Sequence, residues 1–325
     1  MRRQEGSGAR SADGSSARVE SGGRKPGAPG HPVEAHWRSL VPTLPVRFRG
    51  VARSLPHRLG LSASLDGAWT DFTKLEPMCD LPSFVAEDPK TPGAVILSEA
   101  SLTLFREAHY RAGYFGLLVD RLADGQALPH PDLARLRPRL RHAWIDALGR
   151  ALNDRERAWT LVRRSVRAWE RALCHEALHR LPARWKSADY GRCIRAKTRW
   201  LGVTAAALLE ATGQRARVGA FWRAYELMLL ALQVLDDGLD ATEDRRLYGV
   251  SYPDAIGYPP GALVRAATIL CERAAGAARE GRFHRLAAWL DVYARRMGET
   301  PVEGHPVVTG LGAMVLVGEL EVEAS

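Results

Sequence analysis

Lysine is scarce in this sequence, because arginine supplies 41 of the 46 basic residues and lysine only five. The formal net charge of +9 would suit an anionic partner. However, the arginines are scattered over most segments of the chain. No basic stretch carries interleaved aromatic residues, and no helix-turn-helix or zinc-finger pattern occurs. The charge distribution therefore argues against a nucleic-acid partner.

Cysteine is also sparse, with four residues far apart and no Cys-x-x-Cys pair. This spacing predicts reduced, mostly buried thiols in a reducing compartment. The N-terminus lacks the apolar stretch of a secretory signal. No uninterrupted apolar run reaches the length that spans a bilayer. Together these absences predict a cytoplasmic protein without an integral membrane segment.

The alternation of apolar and polar residues that marks β-strands is almost absent, and so is an Asn-Gly hairpin signal. Instead, apolar residues recur at helical spacing from about residue 94 onwards. Gly125 is placed to end the first helix, while Asp154 can cap the third and Pro182 can close it. The pattern predicts an all-α fold with helices at 94–125, 131–150, 154–181, 187–212, 216–245, 260–280, 283–297 and 306–321.

Two segments near the N-terminus depart from this pattern. Residues 1–38 are rich in Gly, Ser, Arg and Pro, so we expect a disordered tail. Residues 39–325 are predicted to form a single helical domain. Its first part, about 40–93, is interrupted by seven prolines and is predicted to wrap around the domain with short helical turns.

An acidic cluster follows an apolar stretch near the end of the predicted 216–245 helix. Asp236, Asp237 and Asp240 are three or four residues apart, a spacing that brings side chains towards one helix face. Like charges at this spacing repel, and carboxylates near a helix C-terminus oppose its dipole. A divalent cation such as Mg²⁺ would relieve that repulsion. The alternative interpretation is an ordinary solvated acidic helix end.

The segment Gln233-x-x-Asp236-Asp237-x-x-Asp240 resembles the second aspartate-rich motif of trans-prenyltransferases in the class I isoprenoid synthase superfamily. Upstream, residues 194–198 (Ile-Arg-Ala-Lys-Thr) are similar to the Lys-Thr motif of that family. Downstream, residues 251–253 (Ser-Tyr-Pro) resemble the loop that leads into its last helices. The resemblance spans roughly 95–300. It implies a single all-α bundle around a central apolar cavity, with metal-binding carboxylates on two facing helices.

Such a fold needs a second acidic site earlier in the chain. Asp120 and Asp124 are four residues apart and share a helix face. Their spacing is similar to the Asp-x-x-x-Asp motif of the head-to-head squalene and phytoene branch. Surface electrostatics beside Arg121 is the alternative explanation for this pair.

The resemblance also implies a chemistry and a set of functional residues. A Mg²⁺ cluster, three ions in this family, would bind a prenyl diphosphate and make diphosphate a good leaving group. The expected metal ligands are Asp236, Asp237, Asp240, Asp120 and Asp124. The expected catalytic cations are Lys197, Arg245 and Arg246. The expected substrate-binding residues are Gln233, Arg195, Thr198, Tyr114, Phe115 and Trp200. Dimerisation through the long helices, giving a homodimer, is expected on the same ground.

The sequence departs from the chain-elongating members of the family. Gly-Gln-Ala-Leu-Pro-His follows Asp124 where those enzymes have an Arg-Arg pair. Their early basic motif has only a partial counterpart at 22–26, within the predicted tail. These departures favour a terpene synthase (cyclase) over a chain-elongating or head-to-head prenyltransferase. The Asn/Ser/Glu metal motif usual in terpene synthases is replaced here by the Asp-rich one.

Two other functions remain open from the sequence. His175-Glu176-x-x-His179 matches the zinc-metallopeptidase motif and lies in a predicted helix, with Glu210 as a conceivable third ligand. No further histidine follows at the extended spacing, and no edge strand is predicted to align a peptide. The other alternative is a non-catalytic scaffold or a protein that binds prenyl lipids without turnover.

Overall fold

The computed structural model describes residues 31–63, 65, 69, 72, 76–86, 97–179, 186–301 and 306–321, with the backbone alone at 175–179, 247–248, 306–308 and 321. In these ranges the regular elements are all helical, which confirms the predicted all-α class. A short 3₁₀ turn, Val41–Thr43, accompanies fourteen α-helices: α1 Pro32–Leu40, α2 Val46–Arg53, α3 Leu55–Arg58, α4 Glu76–Val85, α5 Glu99–Ala123, α6 Leu133–Leu152, α7 Arg155–His179, α8 Ser187–Ala211, α9 Arg215–Leu239, α10 Ala241–Tyr248, α11 Tyr252–Ile256, α12 Pro260–Glu280, α13 His284–Gly298 and α14 Pro306–Glu321.

Local sequence signals account for several helix ends. The Asp154 carboxylate accepts the Arg157 backbone N–H at 2.9 Å and so caps α7. Gly125, just beyond α5, takes φ 68°, a left-handed conformation that suits glycine. The bounds of α12 and α14 coincide with the predicted 260–280 and 306–321.

One predicted helix is divided in two. The predicted 216–245 helix is interrupted at Asp240, which has a non-helical ψ of 1°. Asp240 follows the last residue of α9 and precedes the first residue of α10. Glu243 and Asp244 therefore lie in the first turn of α10, where the helix dipole favours carboxylates, instead of the last turn of a longer helix, where it opposes them. The break thus removes part of the electrostatic penalty that the sequence pattern suggested.

The helical region also begins earlier than residue 39. Residues 32–38, which the sequence placed in the tail, belong to α1. Val33 and Trp37 are buried, and the Tyr114 hydroxyl of α5 donates to the Val33 carbonyl at 2.7 Å. Trp37 packs edge-on against Tyr114, with ring centroids 4.6 Å apart. Apolar residues four and three apart (33, 37, 40) give α1 a core-facing side within a single short helix.

The long helices form two groups that share α8. In the first group, α5, α6, α7 and α8 contact one another in succession, and α5 also contacts α8. In the second, α8 packs on α9, α9 on α12, and α12 on both α13 and α14, while α14 returns to α8. The helix α4 covers α5 and α8. Because α8 belongs to both groups, it positions side chains relative to α5 and α9 together.

Aromatic rings occupy the centre of the first group. The rings of Trp169 and Trp200 stack with centroids 5.2 Å apart, and Trp144 lies 6.3 Å from Trp200. Phe115 is 6.0 Å from both Trp144 and Trp169. We call these four residues the indole cluster. A central apolar cavity, expected from the sequence, is not shown among the described residues, where these rings fill the interior.

Glycine at position 116 is required by this packing. A Cβ there would lie 1.8 Å from Cη2 of Trp200, which is held between other rings. Gly116→Ala should therefore lower the free energy of unfolding by about 1–3 kcal/mol, despite the better helix propensity of alanine. Urea unfolding measures this change. The matched variant Gly276→Ala, in α12 with no atom within 4 Å of the added Cβ, should be neutral or stabilising by up to about 1 kcal/mol. Equal stability changes in both variants would contradict the packing argument.

Among the described helices, α9 alone is long and apolar enough to cross a bilayer by length and composition. It lies between α8 and α12 and buries residues such as Tyr225, Met228 and Val234. A core helix of a folded domain has the same composition, so the burial of α9 accounts for its apolar character.

Candidate functional site

The C-terminal ends of α5 and α9 meet the N-terminal half of α8 at one end of the molecule. Lys197 of α8 places Nζ 3.8 Å from Oδ1 of Asp120 on α5. The charges of Lys197 and Arg121 also lower the pKa of Asp236 on α9, so both cations lie near that carboxyl. Carboxylates from two different helices thus face the same lysine. We call the region formed by Asp120, Lys197 and the α9 aspartates the acidic end.

Asp237 points into the protein from this end. Tyr190 of α8 donates its hydroxyl to Oδ2 of Asp237, and Gln233 Nε2 donates to Oδ1 at 2.9 Å. Burial raises the pKa of the Asp237 carboxyl to about 7, although these two hydrogen bonds act in the opposite direction. Both oxygens are therefore engaged, and Asp237 fastens α9 to α8. Asp236 and Asp237 leave the helix about 100° apart, so the two carboxylates cannot share one direction.

Asp236 and Asp240 face the solvent instead. Both side chains are exposed to solvent, yet protein surrounds Asp236 closely enough to remove part of its hydration. Burial, followed by repulsion from Asp240 and Asp244, raises the pKa of Asp236 to about 6. Burial and Glu243 raise the pKa of Asp240 as well. These carboxylates gather negative charge that a bound cation would stabilise.

The remaining predicted basic residues make other contacts. Arg245 forms two hydrogen bonds with Asp254, at 2.7 and 2.8 Å, which brace α10 against α11. Arg246 lies 3.5 Å from Glu243 on the surface. Arg195 Nη1 donates to the Leu320 carbonyl of α14 at 3.0 Å. Of the expected cations, Lys197 is the one that the structure places beside the carboxylates.

The predicted substrate-binding residues are divided between several places. The Tyr114 ring lies against α1, whereas Phe115 and Trp200 belong to the indole cluster. Thr198 Oγ1 donates to the Ile194 carbonyl of its own helix at 2.7 Å. Gln233 reaches Asp237. Tyr114 therefore does not share a space with Phe115 and Trp200.

Two residues that contact or lie beside the acidic end, Tyr190 and Arg121, were not predicted as functional from the sequence. Tyr190 lies seven residues before Lys197, two helical turns away on the same face, and this spacing could have identified it. Arg121 has a buried Nε without a hydrogen-bond partner in the described part of the chain. Arg121 directly follows Asp120, but only the folded structure shows that its charge acts on Asp236.

The donor chemistry of the acidic end fits a hard cation such as Mg²⁺, although not as a closed cage. No group of three or more His, Cys, Asp or Glu side chains able to hold an ion occurs among the described residues. Mg²⁺ is commonly held by one or two carboxylates together with substrate phosphates and water. The exposed carboxylates of Asp236 and Asp240 are compatible with that mode of binding, whereas Asp237 is held by Tyr190 and Gln233. Asp124 ends α5, and its backbone N–H bonds to the Asp120 carbonyl at 3.0 Å.

The alternative zinc motif lies at the end of α7. Its backbone is helical, and the side chains of His175, Glu176 and His179 fall outside the described residues. Glu210, the conceivable third ligand, forms an ion pair with Arg157. Arg157 precedes His175 by eighteen residues, which is about 27 Å along a helix. Glu210 is thus at the opposite end of α7 from this motif and cannot complete it.

The raised pKa of Asp237 predicts a pH-dependent stability. The carboxyl keeps its proton up to about pH 7 in the folded protein, but only to about 3.8, its ordinary value, in the unfolded chain. Its contribution to stability is therefore full below pH 3.8 and is lost as the pH rises to about 7. Asp237→Asn, which does not titrate, should gain stability relative to the wild type between pH 4 and 7, by at most about 4 kcal/mol. Urea unfolding at a series of pH values, without Mg²⁺, measures the difference.

The test of Asp237 is the difference in unfolding free energy between the wild type and Asp237→Asn at each pH. Burial lowers the pKa of both His36 and His109 to about 4, so these residues make stability rise with pH over the same range. That opposing trend is common to the wild type and the variant and cancels in the comparison. A difference that stays constant from pH 4 to 7 would show that Asp237 is ionised throughout.

A comparison of this chain with protein-family models, with curated proteins and with solved structures finds no match. The similarity of 233–240 and 194–198 to prenyltransferase motifs therefore depends on those residues alone. The structure adds an independent observation, because it brings Asp120, Lys197 and Asp236 together from three helices that are distant in sequence.

Proposed function

We propose that this protein catalyses the Mg²⁺-dependent ionisation of a prenyl diphosphate, with release of diphosphate, in the manner of a terpene synthase. One observation carries the proposal. At the acidic end, the Asp120 carboxylate of α5 and the Asp236 carboxylate of α9 both lie near Lys197 of α8. This is the arrangement of charges that a diphosphate and its counter-cations require.

The exposed carboxylates are the proposed cation ligands. Asp236 and Asp240 lie at the C-terminal end of α9, and Asp120 of α5 lies 3.8 Å from Nζ of Lys197. Burial, followed by repulsion from Asp240 and Asp244, raises the pKa of Asp236, and burial with Glu243 raises that of Asp240. A bound divalent cation would stabilise the ionised form of both carboxylates. Bound Mg²⁺ would neutralise diphosphate oxygens and so improve the leaving group. Asp237 instead holds α9 at a fixed distance from α8 through Tyr190.

The cationic side chains are the proposed diphosphate donors. Lys197 is largely buried, with 13% of its side chain exposed, so its charge acts in a region of reduced solvent screening. Arg121 has a buried Nε that has no hydrogen-bond acceptor among the described residues. As the C–O bond breaks, the electron pair leaves with the diphosphate. Both cations would stabilise the negative charge that accumulates there.

Aromatic rings lie one helical turn below these charges. Trp200 follows Lys197 by three residues, and Gly116, which touches the Trp200 ring, precedes Asp120 by four. The indole cluster therefore begins directly beneath the Lys197–Asp120 pair. Electron-rich ring faces stabilise cations and exclude water, which suits an allylic cation left by the departing diphosphate.

Diphosphate release is the direct test. Purified protein is incubated with geranyl, farnesyl or geranylgeranyl diphosphate, with Mg²⁺ or with EDTA, and free diphosphate is measured. We expect release that requires Mg²⁺ from at least one substrate. Asp146→Asn, at an exposed aspartate paired with Arg155, provides a matched control and should behave as wild type. No release from any of the three substrates would refute the proposal.

The products distinguish this reaction from its alternatives. Hydrocarbons or alcohols indicate terpene synthase chemistry, whereas longer diphosphates formed on addition of isopentenyl diphosphate indicate a chain-elongating prenyltransferase. A head-to-head transferase would condense two molecules of the same substrate. Stoichiometric zinc in the purified protein, with no diphosphate release, would favour the peptidase alternative.

A further inference from the structure

A second candidate site lies on a different side of the molecule, between α7, α8 and α9. It is a cleft of about 400 Å³, within the range of small-molecule sites. Its floor is the small-residue face of α8, formed by Val203, Ala206 and Ala207. Its apolar walls are Leu161 and Ala168 of α7 and Trp222 of α9, and its charged rim is formed by Arg164, Arg171, Arg199 and Glu210.

Among the described residues, the rim carries positive charge that no acidic side chain pairs with. Arg199 lies 3.3 Å from Glu226, and Glu210 is paired with Arg157. In the part of the chain that the structure describes, neither Arg164 nor Arg171 has an ion pair or a hydrogen bond. These two arginines are seven residues apart, two turns of α7, so their side chains rise on the same face about 10 Å apart.

The apolar floor and the arginine rim of the cleft together indicate the chemistry of a ligand. Small side chains on the floor leave an apolar channel, and the Trp222 indole forms one of its walls. The guanidinium of Arg199 lies 4.5 Å from the Trp222 ring centroid, which holds the indole in place. An apolar chain would lie on the floor, and an anionic group would take the free donors of Arg164 and Arg171, which suit phosphate or carboxylate.

We infer that this cleft binds an anionic amphiphile, a single apolar chain that ends in a phosphate or a carboxylate. The site is separate from the acidic end. Trp222 precedes Asp236 on α9 by fourteen residues, about 21 Å along the helix. Arg199 is only two residues from Lys197, but the two side chains leave α8 about 160° apart. Binding here is therefore independent of the proposed catalytic reaction and would persist if that proposal failed.

Neighbouring arginines provide a matched control. Arg163 and Arg167 lie on the same helix and line two adjacent grooves, of about 340 and 180 Å³, with Trp159. They do not line the cleft itself. The larger groove is also lined by Arg164 and Arg171, which therefore border both this groove and the cleft. Four of the six arginines of α7 thus lie within residues 163–171. A nucleic acid that follows the whole row would need all four, whereas the amphiphile needs only Arg164 and Arg171.

Isothermal titration of the full chain with dodecyl phosphate, below its micelle concentration, tests the inference. We expect one molecule bound per chain. The double variant Arg164→Gln/Arg171→Gln should weaken binding at least about tenfold, and Arg163→Gln/Arg167→Gln less than about twofold. Ala207→Phe, which fills the floor, should abolish binding. If Ala207→Phe does not fold, Ser165→Phe, which blocks the cleft from the α7 wall, is tested in its place.

Three further titrants separate the sources of affinity. Dodecanoate tests a carboxylate head, inorganic phosphate tests the head alone, and dodecyl maltoside tests the chain alone. The last two should bind at least about tenfold more weakly than dodecyl phosphate. Equal binding of dodecyl maltoside would overturn the inference, and so would equal losses in the two double variants. Tight binding of a single-stranded oligonucleotide that depends equally on all four arginines would assign the surface to nucleic acid instead.

Discussion

Replacing Asp236 with asparagine is expected to reduce Mg²⁺-dependent diphosphate release at least about a hundredfold, the loss typical of removing one electrostatic group from an active site. Asp236 is the α9 carboxylate that faces the solvent, adjoins Lys197 and Arg121, and is repelled by Asp240 and Asp244. Asparagine keeps the size of the side chain but removes the negative charge that would attract the cation. The rate is measured at saturating substrate and over a range of Mg²⁺ concentrations.

The result depends on the fold remaining intact. Far-UV circular dichroism should show unchanged helix content, because within the described ranges Asp236 makes no hydrogen bond between helices like that of Asp237 with Tyr190. In the absence of metal, the variant should be slightly more stable than the wild type, since repulsion at the acidic end is reduced. Retention of more than half of the wild-type rate would show that Asp236 is outside the reaction.

Replacing Lys197 with methionine is expected to lower the same rate by about 10²–10³, since the developing charge on the diphosphate loses its nearest ammonium group. Methionine preserves much of the apolar stem, so the packing of α8 against α5 should persist. Asp120 and Asp236 would then face each other without a shared cation, and the pKa of Asp236 should rise further.

Lys197→Arg is the informative companion variant. It restores a positive charge at the same position, although the wider guanidinium does not occupy the same volume. We expect it to recover part of the rate lost in Lys197→Met. If both variants lose activity equally, the role of Lys197 lies in packing. If neither loses activity, the lysine has no part in the reaction.

Helical periodicity predicted the long helices well, since each of them has an apolar face that the core then buries. The same pattern could not predict that Asp240 ends α9. The end of α9 packs closely on the start of α12, where a Cβ at Gly238 would lie 3.1 Å from the Pro260 carbonyl oxygen, and this contact between distant segments is not visible in the periodicity. Likewise, α1 was assigned to the tail because seven helical residues carry too little pattern to detect beside thirty Gly- and Ser-rich ones.

The acidic end shows the same limit at the level of side chains. The sequence placed Asp236, Asp237 and Asp240 together but could not tell which of them faces inward. That choice is made by Tyr190 and Gln233, one of which lies 47 residues away. Arg245 was expected to be a catalytic cation, yet Asp254, nine residues later, accepts two hydrogen bonds from it. Such competition among partners is decided by tertiary structure.

The position of α8 as a common wall of two helix groups has a consequence for cooperativity. Its buried residues include Ile194 and Leu208, and removing either group would expose apolar surface on this helix. Neither half could close its own core, so the chain should melt as one unit although its length would allow two domains. A single calorimetric transition, with equal calorimetric and van't Hoff enthalpies, is the expected signature. Fragments separated within the 212–214 turn should refold only when mixed.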